Sequence, residues 1–387
     1  MKDLFLLNPE ITFLNFGSFG ATPKPIFETY QAIQRELEAE PVQFITVSGP
    51  KRVAANRKAL AKYLNADPTD LVLVQNPTYA VNILARGLDL KAGDEVLTTN
   101  LEYGACDRAW NFYCSEKGAR YVQSEISLPI ASKDAFLEEF WSGYSDNTKV
   151  VFISHITSVT GLILPVEDLV REAKSRGLIT IVDGAHAPAH VPLDLNKLDA
   201  DAYVGACHKW MMAPKGVSFL HLKKHLQPMD PVLISWGFEA DYPGESQFID
   251  HHQFNGTRDF SAFCCLESSI EFLTKHDWWQ EAAKNRAIVQ QWLPRLCNLF
   301  NTVPLAPVND HFIGQMGSIG ITCDDPLALK QQLYNEFKIE MPVMVQHGNV
   351  FIRFSFNAFN SEQDLEKLEA VLQQLKTAGI ISGKKWD

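Results

Sequence analysis

The strongest constraint on this chain is the alternation of short apolar, β-rich runs with helical stretches between residues 71 and 222. The strand-like runs are Leu71–Gln75, Glu95–Thr99, Arg120–Gln123, Val150–Ser154, Ile179–Val182, Ala202–Gly205 and Val217–Leu222. Helix candidates stand between several of them: Thr78–Arg86, Tyr103–Lys117, Lys133–Trp141 and Val166–Ser175. Apolar runs of this length, bounded by turn residues, read as buried strands. Their alternation with helices predicts an α/β fold, a mainly parallel sheet with helices on both faces. Such a sheet takes its ligands just beyond the carboxyl ends of its strands. Two of those ends carry chemistry. Ile181-Val182-Asp183-Gly184-Ala185-His186 leaves an acid there, and Gly205-Ala206-Cys207-His208-Lys209-Trp210 leaves a lysine.

Outside that stretch the pattern changes. The first twenty residues end in Asn15-Phe16-Gly17-Ser18-Phe19-Gly20, with Pro23 and Pro25 close behind. Glycine and proline at this density predict an extended arm or loop, not a core element. Ile26–Glu38 and Lys51–Leu64 have helical periodicity, and residues 223–258, rich in Pro, Gly, His and Trp, predict a long functional crossing. Ser261–Lys275 and Trp278–Phe300 read as long helices, the second leading into another domain. There Gly317–Thr322 and Val350–Ser355 read as strands, covered by helices Pro326–Phe337 and Ser361–Ala378. The expected organisation is an N-terminal arm (1–20) packing with the small domain, a large domain (21–258) and a smaller α+β domain with its linking helix (259–387).

The net charge of −11 offers no basic stripe to nucleic acid or a membrane surface. No apolar segment reaches the roughly 20 residues a spanning helix needs. Seven cysteines without a C-x-x-C pair form neither a disulfide framework nor a zinc pattern. A cytoplasmic protein without a metal is expected. No strand is followed by G-x-G-x-x-G, which argues against a nicotinamide dehydrogenase.

Asp183 alone could be a capping carboxylate, and Lys209 alone a surface charge. Lys209, however, precedes Trp210-Met211-Met212. A lysine desolvated there has the lowered pKa that an imine-forming amine requires. Pyridoxal phosphate needs such a lysine, an acid on its ring nitrogen, a phosphate cradle and a flat group against its ring. Asn76-Pro77-Thr78-Tyr79 follows one strand and opens a helix, so Thr78 and nearby N–H groups are candidates for the cradle. Tyr103, at another strand-to-helix junction, is a candidate for the ring face. Each has a plainer reading, an N-cap for Asn76 or Thr78 and a core residue for Tyr103. The combination at successive strand ends points to the cofactor.

With these residues in place, the chain resembles the class V aminotransferase family of pyridoxal-phosphate fold type I, nearest the isopenicillin N epimerase-like branch. The resemblance spans nearly the whole chain. It rests on Leu14-Asn15-Phe16-Gly17-Ser18-Phe19-Gly20, Glu40-Pro41-Val42-Gln43-Phe44, Asn76-Pro77-Thr78-Tyr79-Ala80, Glu102-Tyr103-Gly104-Ala105 and His155-Ile156-Thr157-Ser158. Further matches are Asp183-Gly184-Ala185-His186, His208-Lys209-Trp210, Asn255-Gly256-Thr257-Arg258-Asp259 and Phe351-Ile352-Arg353-Phe354-Ser355. It implies Lys209 as Schiff-base lysine, Asp183 at the ring nitrogen, His186 at the phenolic oxygen and Tyr103 on the ring. It also implies cofactor contacts from Thr78, Tyr79, Ser158 and His208, and substrate contacts from Arg353 and Asn15. Thr257 would reach the phosphate of a neighbouring subunit, which implies a homodimer with the active site at its interface.

Departures from the family pattern are Ala206, where a side-chain phosphate donor is usual, Phe16 in place of His, and Phe359 in place of Tyr. Residues 342–349 hold no cysteine, so a cysteine desulfurase, which needs a persulfide-forming cysteine near there, is not expected. The resemblance implies attack at Cα of an amino-acid substrate, with Lys209 taking the proton. Epimerisation, which requires a second acid such as Tyr103, His208 or His347, is the first expectation. C–S lyase chemistry and transamination stay open, and a non-catalytic, cofactor-retaining regulator is the rival from another class.

Overall fold

The computed structural model describes residues 1–386. Its main sheet has strands β1 (Leu71–Val74), β2 (Glu95–Thr99), β3 (Arg120–Ser124), β4 (Thr148–Ser154), β5 (Ile179–Gly184), β6 (Ala202–Ala206) and β7 (Ser218–Leu222). They lie in the order β1-β7-β6-β5-β4-β2-β3. Every pairing is parallel except those of β7, which runs against both β1 and β6. The carboxyl ends of β1, β2, β4, β5 and β6 therefore share one edge of the sheet. Strands β1, β2, β6 and β7 are buried along their whole length. Covered on both faces, they show continuous apolar runs instead of period-two alternation.

A second, antiparallel sheet has strands β8 (Met316–Thr322), β9 (Val343–Gln346), β10 (Asn349–Ser355) and β11 (Ser382–Gly383), in the order β9-β10-β8-β11. Strand β9 has no counterpart among the predicted strands. It forms a hairpin with β10 through His347-Gly348, both at positive φ (47° and 76°). That is the two-residue turn geometry whose twist matches its flanking strands. The predicted helix over Ser261–Lys275 begins instead as a 3₁₀ segment, Ser261–Cys265, and becomes α-helical at Leu266. The crossing at 223–258 carries a 3₁₀ turn, Lys224–Leu226, and one α-helix, Gln247–Gln253. Among the described residues no helix is long and apolar enough to cross a membrane.

The reading of the first twenty residues as no part of the core needs correction. Leu14 and Phe16 are fully buried. Thr12–Phe13 pairs in parallel with Ile339–Glu340, and Ser355 N–H donates to Leu14 O at 2.8 Å. Phe16 packs edge-on against Trp210, with ring centroids 5.1 Å apart. The glycines that suggested a loose arm permit this packing. Gly20 sits at φ +64°, and a Cβ there would come within 2.5 Å of His208 O and 2.7 Å of Lys209 O. Only glycine meets both demands.

Because Phe16 is a core residue, Phe16→Ala should cost about 3–5 kcal/mol of stability, measured by chemical denaturation. A loss below about 1 kcal/mol would mean that the segment is peripheral after all.

Candidate active site

Five strand ends meet at a cavity of about 160 Å³, lined by Ser18, Phe19, Thr78, Tyr103, Ser154, Ser158, Asp183, His186, His208 and Lys209 among others. A larger cavity of about 860 Å³ lies elsewhere, along Lys133, Glu167, Lys197 and Arg286, and holds none of the predicted site residues. The smaller one is where titratable groups with shifted pKa values converge, which is the better mark of a reactive centre.

Asp183 ends β5 almost wholly buried. Burial raises its carboxyl, opposed by the Ala185 N–H donating to Oδ1 at 3.0 Å and by the nearby Lys209 charge. The Cys106 thiol donates to its other oxygen at 3.4 Å. Lys209 follows β6, its Nζ 3.2 Å from His186 Nε2. Burial pulls the amine down to about 8 against the attraction of Asp183. This is the neutralisable amine that the apolar run after it led us to expect. His208 donates from Nδ1 to Val217 O at 2.9 Å, which pins the residue before Lys209 to the start of β7.

At the end of β1, Asn76 Oδ1 accepts the Tyr79 N–H at 2.8 Å, so Asn76 is the N-cap of helix Pro77–Gly87. The Thr78 N–H, in the same first turn, belongs to the group a helix leaves without internal partners. Together with the helix dipole it makes an anion site. Tyr79 is half-buried, and its hydroxyl accepts from Asn255 Nδ2 at 3.4 Å. Tyr103 is the N-cap residue of helix Gly104–Glu116, and its ring is 46% exposed, a face on which a planar group can lie.

Not every predicted residue reaches the cavity. Arg353 is 2% exposed and stands behind two lining residues: its Nη2 donates to Ser18 Oγ at 3.1 Å and its Nη1 to Ser158 O. Asn15 is buried behind Ser18, accepting its hydroxyl at 2.5 Å and donating to Glu340 Oε1 at 3.0 Å. Thr257 is exposed and lines a different cavity, with Ile45, Trp236 and Phe254.

Four contributors were given no role of their own in the sequence: Ser18, Cys106, Glu102 and Trp210. Glu102 is fully buried and accepts from Thr99 Oγ1 (2.8 Å), Ser154 N (2.9 Å) and Ser154 Oγ (2.6 Å). It ties the end of β2 to the end of β4 directly beside Tyr103. Burial pushes its carboxyl up to about 8, against those hydrogen bonds. A glutamate closing a strand next to the candidate ring residue was the available signal. Cys106 and Trp210 gave none, since their roles depend on which way a helix face and an indole point.

The donor set fits pyridoxal 5'-phosphate. It offers a carboxylate held at both oxygens, a depressed amine, an open aromatic face and a helix N-terminus, all around one cavity.

The model of the family described as Aminotransferase class-V matches residues 22–368. Isopenicillin N epimerase from Amycolatopsis lactamdurans is 31% identical over 385 residues, covering 95% of this chain and 96% of that protein. Putative L-cysteine desulfhydrase 1 from Oryza sativa subsp. japonica is 27% identical, covering 96% of this chain and 84% of that one. The apo structure of a cysteine desulfurase from Thermococcus onnurineus NA1 superposes with a TM-score of 0.80 at 19% identity, covering 97% of each chain. At that identity the likeness is one of fold.

In the cofactor-free protein, acylation of Lys209 followed by mass spectrometry should rise with a midpoint near pH 8, well below the 10.5 of an ordinary lysine. Asp183→Asn removes a charge that raises the Lys209 pKa, so the midpoint should fall further. An upward shift would contradict the geometry.

Proposed function

This chain belongs to the aminotransferase class-V family and works with pyridoxal 5'-phosphate, and from that premise we propose that it acts at Cα of a small amino-acid substrate, first as an epimerase. The observation that carries this reading is the strand order. Lys209 follows β6 and Tyr103 follows β2, so they flank the β5 end, where Asp183 stands, from opposite sides. Epimerisation needs a proton taken from one face of Cα and returned to the other, and this order supports dividing that work between the two groups.

The cofactor, when bound, supplies the electron sink that makes Cα acidic. Lys209, whose amine burial keeps easily neutralised, takes the proton. Asp183 holds a proton at the ring nitrogen. Thr78 and the first turn of Pro77–Gly87 hold the phosphate, with Tyr79, Ser158 and His208 completing the surroundings. Arg353, behind Ser18 and Ser158, is the group for the substrate carboxylate, which a guanidinium binds bidentately once those two residues yield. Asn15 holds Ser18 in place there. Tyr103 returns the proton from the far side.

C–S lyase activity is the second reading, favoured by the resemblance to a protein named as an L-cysteine desulfhydrase. Expulsion of sulfur from Cβ after the same proton removal needs Lys209 but no second acid. Persulfide chemistry of the desulfurase kind is disfavoured, because no cysteine is among the cavity-lining residues. Cys106 donates its thiol hydrogen bond to Asp183, and burial holds its thiol pKa well above the ordinary range. Burial and the charges of Asp324 and Asp325 push the Cys323 thiol up as well.

The working form is a homodimer. Thr257 then serves the phosphate of the second copy, and Trp236 and Tyr242, 86% and 94% exposed, gain cover. The division into 1–20, 21–258 and 259–387 and a cytoplasmic, reducing location belong to the same proposal; the latter accords with seven free cysteines.

Holoenzyme supplied with single enantiomers of amino acids and with cysteine S-conjugates separates the readings. The epimerase reading expects the opposite enantiomer, with solvent deuterium at Cα. Pyruvate and ammonia, with the recovered substrate unchanged in handedness, would sink it in favour of the lyase.

A further inference from the structure

Lys209 is followed by a fully buried tryptophan whose only polar atom points at the neighbour of the reactive amine. The Trp210 Nε1–H donates to His186 Nδ1 at 3.4 Å, and His186 Nε2 lies 3.2 Å from Lys209 Nζ. An indole N–H can only donate. Nδ1 of His186 must therefore be the bare nitrogen, and the single proton of a neutral imidazole sits on Nε2, facing Lys209. Burial drives the His186 pKa well below its usual value, so the ring is neutral.

The surroundings hold this arrangement in one direction. The Gln315 N–H donates to His190 Nε2 at 2.6 Å, which puts the His190 proton on Nδ1, 3.1 Å from the His186 carbonyl that accepts it. The His190 ring lies over Trp210 with centroids 3.9 Å apart. Phe16 packs edge-on against the indole, with centroids 5.1 Å apart. His190 and Phe16 thus fix the indole plane, and the indole fixes the tautomer of His186.

We propose that Trp210 is a positioning residue that locks His186 as a one-way hydrogen-bond donor toward the Lys209 amine. His186 then cannot accept the Cα proton on Nε2, which leaves Lys209 as the base. The donor stabilises the unprotonated amine, or the unprotonated nitrogen that replaces it when cofactor is attached. Losing the donor must therefore raise the pH at which that nitrogen gives up its proton. The inference rests on Lys209 being the cofactor-bearing residue.

The test is a pH titration of the visible absorption of holoenzyme in wild type, Trp210→Phe, His186→Ala and the double variant. The groups facing the Lys209–His186 pair are Asp183 from β5, Arg353 from β10, Cys106 from helix Gly104–Glu116, and His190 and His208. None is altered by Trp210→Phe. The Trp210→Phe midpoint should move up by roughly half to one pH unit, the worth of one hydrogen bond. In the His186→Ala background the same change should add nothing. An unmoved midpoint, or an equal shift in both backgrounds, overturns the proposal. If Trp210→Phe does not fold, 3-benzothienylalanine at position 210, with the same shape but sulfur for N–H, answers the same question with the same two outcomes. Loss of the visible band in Lys209→Ala checks the underlying assignment separately. A band surviving there overturns that assignment, and with it this inference.

Discussion

The site depends first on the parallel pairing of Ile179–Gly184 with Ala202–Ala206. Its register sets Asp183 beside Val204 and Gly184 beside Gly205. Lys209 lies four residues beyond Gly205. The acid and the amine thereby emerge from adjacent strands at one edge, close enough for their charges to shift each other. A slip of one residue would turn Asp183 to the other face of the sheet and part them. Gly184 and Gly205 guard the register, since a Cβ at Gly184 would come within 2.1 Å of Tyr203 Oη and one at Gly205 within 2.3 Å of the Phe219 ring.

Burying these groups costs stability, and the surrounding hydrogen bonds offset part of that cost. Asp183 and Glu102 are both buried carboxyls raised by desolvation, and each is held by several donors. Glu102 joins β2 to β4, Asp183 ties β5 to helix Gly104–Glu116 through Cys106, and His208 ties β6 to β7. The strand ends are thus stitched together at the level where the cavity opens. The amino-terminal segment completes it from above: Gly20 lies against the Lys209 backbone, Ser18 against Arg353, and Phe16 against Trp210. Active-site geometry and the packing of the first twenty residues are one problem.

Much of this was legible in the chain itself, for definite reasons. The strands of the main sheet carry long apolar runs because both faces are covered, and the polar residues that interrupt them, Asp183 and Lys209, are costly enough there to demand a purpose. Helix Pro77–Gly87 was legible from its position after β1. What escaped reading depends on contacts between distant segments. Leu14 and Phe16 looked like an arm because local glycine density says nothing about what the arm packs on. Strand β9 was hidden by its short length and the Pro342 before it. Arg353 was placed on the substrate side by resemblance, while its screening by Ser18 and Ser158 belongs to tertiary structure. The role of Trp210 is set by the orientation of one N–H, which no pattern of residue types encodes.

The central claim is that Lys209, held beside Asp183 and His186, is the amine that carries the cofactor. A rival is Lys215, an exposed lysine whose amine partial desolvation also lowers. Borohydride reduction of the holoenzyme, followed by proteolysis and mass mapping, decides between them. The account predicts a pyridoxyl-phosphate mass on the peptide containing Lys209, and none anywhere in Lys209→Ala. The same mass on Lys215, or on any lysine of the Lys209→Ala protein, would contradict it.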